Sequence, residues 1–325
     1  MMMPYAVRVH EIGSADKLNW EEIQLKAPGP GEVLVRNTAI GLNFIDTYYR
    51  SGLYHTALPF IPGSEGAGVI EAVGSKVREF KIGDRVAYVD PMGAYSEFLL
   101  RPTERLVKLP SYIEDKLGAA IMLKGLTAHY LLKRTYKLKH GETVLVHAAA
   151  GGVGQILCQW AKYLGAIVIG TVGTEEKAKI AKKAGCKYVI VTSLENFPEE
   201  VKKITKGKGV PVVYDGVGKD TFMDSLNCLS PLGLMVSFGN ASGAVPAFEI
   251  GTLAKRGSLF LTRPTLGAYI SKREDLMKAA HELFSVVKKG AVKISINQSY
   301  SLSQAALAHR DLESRKTTGS TVLLP

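Results

Sequence analysis

The sequence predicts a two-domain α/β protein: a β-rich unit, then a doubly wound parallel sheet, then a tail that returns to the first unit. Three observations carry this prediction. Before Lys124, short strand-like runs are separated by turns containing Gly and Pro. After Gly125, short and almost wholly apolar runs alternate with stretches of helical period, the pattern of strands buried on both faces. About six such runs follow one another, the number in a complete dinucleotide-binding sheet.

In the first unit the candidate strands are Tyr5–His10, Trp20–Leu25, Glu32–Thr38, Gly66–Val73 and Tyr95–Leu100. Gly29-Pro30-Gly31, Pro62-Gly63 and Gly83-Asp84 punctuate them with residues suited to tight turns. In the second unit the strands are Thr143–His147, Ala166–Thr171, Tyr188–Val191, Pro211–Asp215, Leu232–Phe238 and Ser258–Thr262. Helices are expected around Val153–Leu164, Glu175–Ala184, Phe197–Ile204 and Phe222–Leu229. The tail carries a helix near Lys272–Val287, the run Ile294–Ser299, a helix at Ser303–Glu313 and a last strand Ser320–Leu324. Domains are therefore expected at 1–124 with 266–325, and at 125–265.

Composition narrows the function classes. With 46% hydrophobic and 22% charged residues the chain is globular and not disordered. The opening MMMPYAVRVHE has no apolar stretch with a small-residue cleavage site, and no run approaches the roughly 18–20 apolar residues of a membrane span. A soluble, cytoplasmic protein without membrane insertion is expected. Cys158, Cys186 and Cys228 lie far apart without a CxxC pair, so neither a redox dithiol nor a zinc knuckle is suggested; Cys158 is expected to be a small buried hydrophobe. The net charge of +11, with lysines concentrated at Lys133–Lys139, Lys177–Lys187 and Lys202–Lys208, favours anionic ligands. RNA is one such ligand, although no aromatic-rich RNA-binding signature accompanies the lysines.

The most informative segment runs from Thr143 to Gln155, TVLVHAAAGGVGQ. An apolar strand enters a turn of small residues, and an amphipathic helix leaves it with Val153, Ile156, Leu157, Trp160, Ala161 and Leu164 on one stripe. Small residues let a pyrophosphate approach the backbone, and the N–H groups of the helix start bind its charge. On the G-x-G-x-x-G pattern the key positions are Ala149, Gly151 and Gly154, the first of them alanine. About 20 residues on, where NAD sites carry an acid for the ribose hydroxyls, the sequence reads Gly170-Thr-Val-Gly-Thr174. Gly173 leaves room, Thr174 offers a hydroxyl and Lys177 a positive charge, which favours NADPH over NADH.

On the blocks GLNFIDTYYRSGLY (Gly41–Tyr54), PGSEGAGVIEAVG (Pro62–Gly74), GDRVAY (Gly83–Tyr88), LKGLTAHYLL (Leu123–Leu132), HAAAGGVGQ (His147–Gln155), YDGVG (Tyr214–Gly218), GLMVSFGNASG (Gly233–Gly243) and LTRPTL (Leu261–Leu266), the sequence resembles the quinone oxidoreductase (zeta-crystallin-like) branch of the zinc-free medium-chain dehydrogenase/reductase superfamily. The resemblance implies a GroES-like catalytic domain completed by the tail, a Rossmann NADPH-binding domain inserted into it, and a homodimer joined through the cofactor-domain sheets. Zinc-containing relatives need a Cys near Asp46, a Gly-His-Glu at the next motif and a four-Cys loop; here Asn43-Phe-Ile-Asp46 and Gly63-Ser64-Glu65 stand instead, so no metal is expected.

The resemblance also implies site residues. Asn43, Tyr48 and Thr127 fall near the nicotinamide and its ribose, and Gly151, Gly152, Val153 and Gly154 at the pyrophosphate. Gly173, Thr174 and Lys177 surround the adenosine 2′-phosphate, and Thr192 stands where relatives often place a Tyr that leans on that phosphate. Phe238, Gly239 and Asn240 lie beside the nicotinamide, and Arg315 resembles a tail arginine near the cofactor. Each residue type also serves as a turn cap or packing group. The activity implied is transfer of reducing equivalents from NADPH to a quinone, for which the protein supplies proximity, orientation and exclusion of solvent. Reduction of an activated carbon–carbon double bond is the alternative. That chemistry needs a proton donor, and Tyr54 resembles the donor of enoyl-thioester reductases in this superfamily. RNA binding through the basic surface is a third reading. His129 and His147 are expected to be structural.

Overall fold

The computed structural model describes residues 3–89 and 92–325. The chain divides into two compact units: Met1–Lys124 with Ile270–Phe284 and Ile294–Pro325, and Gly125–Tyr269 with Ser285–Lys293.

The first unit is organised by the strand Glu32–Leu42. Its Val33 and Val35 are fully buried while Arg36 between them and Asn37 is exposed, the alternation of a half-buried strand. Glu65–Val73 pairs antiparallel along it, and Phe98–Pro102 pairs with its start, Glu32 opposite Pro102. The C-terminal strand Ser320–Leu324 pairs antiparallel with its end, Thr321 opposite Leu42. The sheet order is 296–301, 320–324, 32–42, 65–73, 85–89, 106–108. One core joins Val33, Ile40, Ile70 and Tyr88 of this sheet to Leu302, Ala305 and Ala308 of the tail.

Three features of this unit add to the sequence expectation. The long strand continues to Leu42, beyond Thr38, because the tail strand supplies partners for Ile40, Gly41 and Leu42. The segment Phe44–Ser51 is a helix, stopped at Gly52 in the left-handed conformation (φ 83°). Asp115–Tyr130 is also a helix, and the unit boundary falls inside it, after Lys124, not in a loop.

The second unit contains six parallel strands in the order 188–191, 167–172, 143–146, 210–215, 229–237, 260–262. In chain sequence this is 3-2-1-4-5-6, the Rossmann order, with its switch point between 143–146 and 210–215. Leu145, Ile169, Ile190, Val213 and Met235 from five of these strands share a core with helix residues Val201, Phe222 and Leu226.

The expected domain limits need correction at 266–325. Residues 266–269 and 285–293 belong to the second unit. Tyr269 stacks on Tyr130 with ring centroids 4.4 Å apart, and its hydroxyl accepts from Thr135 at 2.8 Å. The Lys293 N–H donates to Gln159 Oε1, and its carbonyl accepts from Gln159 Nε2, each at 2.9 Å. Among the described residues no helix is long and apolar enough to cross a membrane.

Candidate active site

In the second unit the strand Thr143–Val146 ends at the switch point, and the turn after it is built by backbone contacts. Ala148 adopts a left-handed conformation (φ 50°), and its carbonyl accepts from Gly151 N at 2.9 Å. The helix Gly152–Tyr163 follows, with Gly151 as its N-cap and no side chain to cap it. The first-turn N–H groups of a helix have no intrahelical acceptor, so an uncapped start presents them to an anion. At Gly154 a Cβ would lie 2.2 Å from the Ala148 carbonyl oxygen, so only glycine lets helix and turn approach this closely.

Ala149 stands at the first key position and is fully buried. Its N–H donates to Thr171 O at 3.0 Å, and its methyl faces Gly170, where an added Cβ would lie 2.8 Å from it. Ala149 therefore packs the turn against the sheet and does not offer its own N–H to a phosphate. The alanine is accommodated because the neighbouring strand carries glycine opposite it. Cys186 Sγ closes the same space and lies 3.4 Å from Cys158 Sγ; both thiols are buried.

His147 is buried and pins the strand ends together. Its Nδ1 lies 2.8 Å from Thr171 Oγ1 and its Nε2 2.8 Å from Ser225 Oγ. Ser225 donates on to Asp215 Oδ2 at 3.1 Å, so its oxygen accepts from the Nε2–H tautomer of the ring. Burial lowers the His147 pKa and keeps the ring neutral, against the pull of Asp215. Asp215 Oδ1 accepts from Val217 N and Gly218 N at 2.8 and 3.1 Å, fixing the turn after the fourth strand. His147 thus has a structural role.

The residues expected around the adenosine lie at the adjacent strand ends. Gly173 has nothing within 4 Å of where a Cβ would stand. Thr174 caps the helix Glu175–Lys183, its hydroxyl accepting from Lys177 N at 3.3 Å. Lys177 is half-buried in the first turn of that helix. Thr192 is exposed and donates its hydroxyl to Val172 O at 3.2 Å. Glu176 stands beside them, its carboxylate held low in pKa by its own backbone N–H and the Thr174 hydroxyl. Phe238, Gly239 and Asn240 are half-buried after the fifth strand. A Cβ on Gly239 would come within 2.5 Å of Gly216 O, and one on Gly216 within 2.9 Å of the Phe238 ring. Thr127 is buried in the helix Asp115–Tyr130.

In the first unit, Asn43 is the N-cap of the helix Phe44–Ser51. Its N–H donates to Asp46 Oδ2 at 2.9 Å, and its Nδ2 donates to Glu65 Oε1 at 2.9 Å. Glu65 Oε1 also accepts from Lys124 Nζ at 2.7 Å, and its Oε2 from Leu123 N at 2.7 Å. Both carboxylate oxygens thus take N–H donors, and the ammonium of Lys124 supplies the compensating charge. Among the described residues no group of three or more His, Cys, Asp or Glu is placed to hold a metal ion.

Tyr48 and Tyr54 lie together, their ring centroids 5.3 Å apart and edge to face, with Tyr54 N donating to Tyr48 O at 3.0 Å. Asn43, Tyr48 and Tyr54 therefore share one helix and the turn that follows it. Arg315 comes from the tail, in an exposed turn with a left-handed backbone (φ 60°).

A larger buried network surrounds Asp46. Asp46 is fully buried; its Oδ1 accepts from Ser64 Oγ at 2.7 Å and its Oδ2 from Tyr95 Oη at 3.1 Å. Tyr95 Oη is 3.0 Å from His309 Nε2, and Arg50 Nη1 is 3.3 Å from His309 Nδ1. Arg50 holds Glu313 with two bonds of 2.9 and 2.6 Å. Burial raises Asp46 to a pKa of about 6 against the hydrogen bonds from Ser64, Asn43 and Tyr95. Burial, aided by Arg50, lowers His309 to about 3, and the ring is neutral. The Asn-x-x-Asp spacing of Asn43 and Asp46 is a capping signal visible in the sequence. The partners Ser64, Tyr95 and His309 carry no local signal.

Comparison with known proteins agrees with this architecture. The family model "Alcohol dehydrogenase GroES-like domain" matches residues 29–111, and "Zinc-binding dehydrogenase" matches residues 152–285. The chain is 56% identical over 315 residues to a quinone oxidoreductase of Pseudomonas aeruginosa, covering 96% of this chain and 97% of that protein. It is 48% identical over 331 residues to a 2-haloacrylate reductase of a Burkholderia species, covering 99% of both. The solved structure of Escherichia coli quinone oxidoreductase complexed with NADPH superimposes with a TM-score of 0.97 at 49% identity, covering 99% of this chain and 100% of that one.

Proposed function

Because the chain belongs to the quinone oxidoreductase branch of the medium-chain dehydrogenase/reductase superfamily, we propose that it reduces quinones with NADPH. The observation that carries this reading is the cradle: an uncapped helix start at Gly151, at the switch point of a Rossmann sheet, with Gly154 allowing the close approach. In the overall balance NADPH, a proton and a quinone give NADP⁺ and a hydroquinone.

The N–H groups of Gly152, Val153 and Gly154 bind the pyrophosphate. Lys177, with Thr174 and the open space at Gly173, takes the adenosine 2′-phosphate; Thr192 stands nearby as a small residue. Phe238, Gly239, Asn240 and Thr127 orient the nicotinamide, which when bound supplies the reducing equivalents. Asn43, Tyr48 and Tyr54 orient the acceptor and exclude water, and Arg315 adds positive charge for the cofactor. Charge arriving on a quinone is delocalised over its oxygens and takes protons from water, so no acid on the protein is required.

Double-bond reduction is the second reading, favoured by the 2-haloacrylate reductase among the relatives and by Tyr54, a phenol beside Tyr48. A homodimer is proposed through the open edge at Phe260–Thr262, where Phe260 is 60% exposed. Initial rates with NADPH and NADH against a quinone panel, 2-alkenals and 2-haloacrylate test these readings together. Quinone turnover with NADPH is expected. Alkenal or haloacrylate turnover without quinone turnover replaces the first reading by the second.

A further inference from the structure

The buried network around Asp46 does more than cap a helix. Three donors converge on its two oxygens: Ser64 Oγ, Tyr95 Oη and the Asn43 N–H. The direction of the Tyr95 hydrogen is set by its neighbours. Arg50 only donates, so His309 Nδ1 accepts from it, and the Nε2–H must be given to Tyr95 Oη. Tyr95 is thereby left with its own hydrogen directed at Asp46. The ring cannot escape by protonating, because it is fully buried against a guanidinium.

We propose that Asp46 is a positioning residue: its ionised carboxylate holds Asn43 and Ser64 in place, and protonation releases them, so that reduction fails in acid. This rests on the reductase reading above. A proton on either oxygen adds a fourth hydrogen to a pocket closed on every side, so the three donors must rearrange, with the Ser64 hydroxyl turning from donor to acceptor or a bond to Oδ2 lengthening. Asn43 is directly exposed to this change, since its N–H shares Oδ2 with Tyr95 while its side chain is tied to Glu65.

The charged and titratable groups around Asp46 come from every element packed on it. Its own helix supplies Arg50 and Tyr49, the first residue of the strand Glu65–Val73 is Glu65, and the turn at 92–96 supplies Tyr95. The tail helix supplies His309, with Glu313 behind Arg50, and Asp115–Tyr130 supplies Lys124. Of these, His309 is neutral, burial holds the Tyr95 hydroxyl in its protonated form, and Lys124 is paired with Glu65. Asp46, raised by burial to about 6, changes its charge near neutrality.

Two measurements test the proposal. In the nucleotide-free protein the Asn43 amide resonance is followed from about pH 5 to about pH 7.5, where a single transition is expected. In the working enzyme kcat/KM for quinone is followed over the same range. It should fall about tenfold at the acid end with a one-proton slope. Ser64→Ala removes a donor that keeps the carboxylate ionised and should move both transitions to higher pH; Asp46→Asn should abolish them. If Asp46→Asn does not fold, Ser64→Ala carries the test alone, because a merely structural serine would change rates without moving a pH limb. A flat profile in the parent, an unshifted limb in Ser64→Ala, or an Asn43 amide that does not titrate overturns the proposal. Absence of quinone turnover at about pH 7.5 would instead defeat the reductase reading, and the amide titration would still decide the role of Asp46.

Discussion

Replacing Gly154 by alanine should weaken NADPH binding about 100-fold. The methyl would stand 2.2 Å from Ala148 O, 2.8 Å from Ala149 Cα and 3.0 Å from Ala148 C. An ordinary carbon–oxygen contact is about 3.3 Å, so the turn or the helix must yield by roughly 1 Å. The turn has little freedom to do so: Ala148 is already left-handed, and Ala149 N–H is bonded to Thr171 O. The helix start that moves is the one carrying the anion-binding N–H groups. Losing about two charge-assisted bonds to the pyrophosphate costs about 3 kcal/mol, which is roughly 100-fold in affinity. Overpacking should also destabilise the fold by about 1–3 kcal/mol, although alanine inside a helix would otherwise gain up to about 1 kcal/mol over glycine. The assay is NADPH titration by fluorescence beside thermal unfolding, with Gly251→Ala as control, since nothing lies within 4 Å of a Cβ there. A Gly154→Ala protein with parental affinity and a raised Tm would refute the packing argument.

Four further outcomes are expected. Lys124→Met leaves the fully buried Glu65 carboxylate without its cation and should cost about 3–5 kcal/mol in urea unfolding, with Glu65→Gln in the same chain restoring much of it; a stable single variant would show that the pair does not hold this region. Lys177→Ala should weaken NADPH by about 1 kcal/mol, roughly fivefold and less at high salt, with NADH unaffected; equal losses for both cofactors would remove Lys177 from the 2′-phosphate. Tyr54→Phe should lower alkenal reduction by about 100-fold or more while sparing quinone turnover, and unchanged alkenal rates would exclude it as proton donor. Phe260→Glu should convert a dimer to a monomer by light scattering, and an unchanged mass would move the interface elsewhere.

The cradle was legible in the sequence because its determinants are local. Strand, small-residue turn and amphipathic helix lie within one stretch, so their order alone implies a dinucleotide site. The six parallel strands were legible for the same reason, each being a short apolar run. What could not be read was anything decided by distant pairing. The strand Glu32–Leu42 reaches its full length because residues 320–324 pair with its end. The domain limits failed where Tyr269 and Lys293 find partners on helices earlier in the chain.

The site divides along the same line. The chain by itself specified the small-residue turn between strand and helix, the absence of an acid at the end of the second strand of that sheet, and Ser64 where the Gly-His-Glu motif of zinc-containing relatives has histidine. Tertiary structure decided how those residues are used. It set Gly170 opposite Ala149, so that an alanine fits where the pattern has glycine. It also brought His309 to Tyr95, 214 positions away, and Lys124 to Glu65, 59 positions away, so that buried charges and donors are satisfied. Local sequence specifies which groups a turn can present to a ligand. Only packing determines which of them are buried, and burial sets whether a carboxylate such as Asp46 keeps its charge.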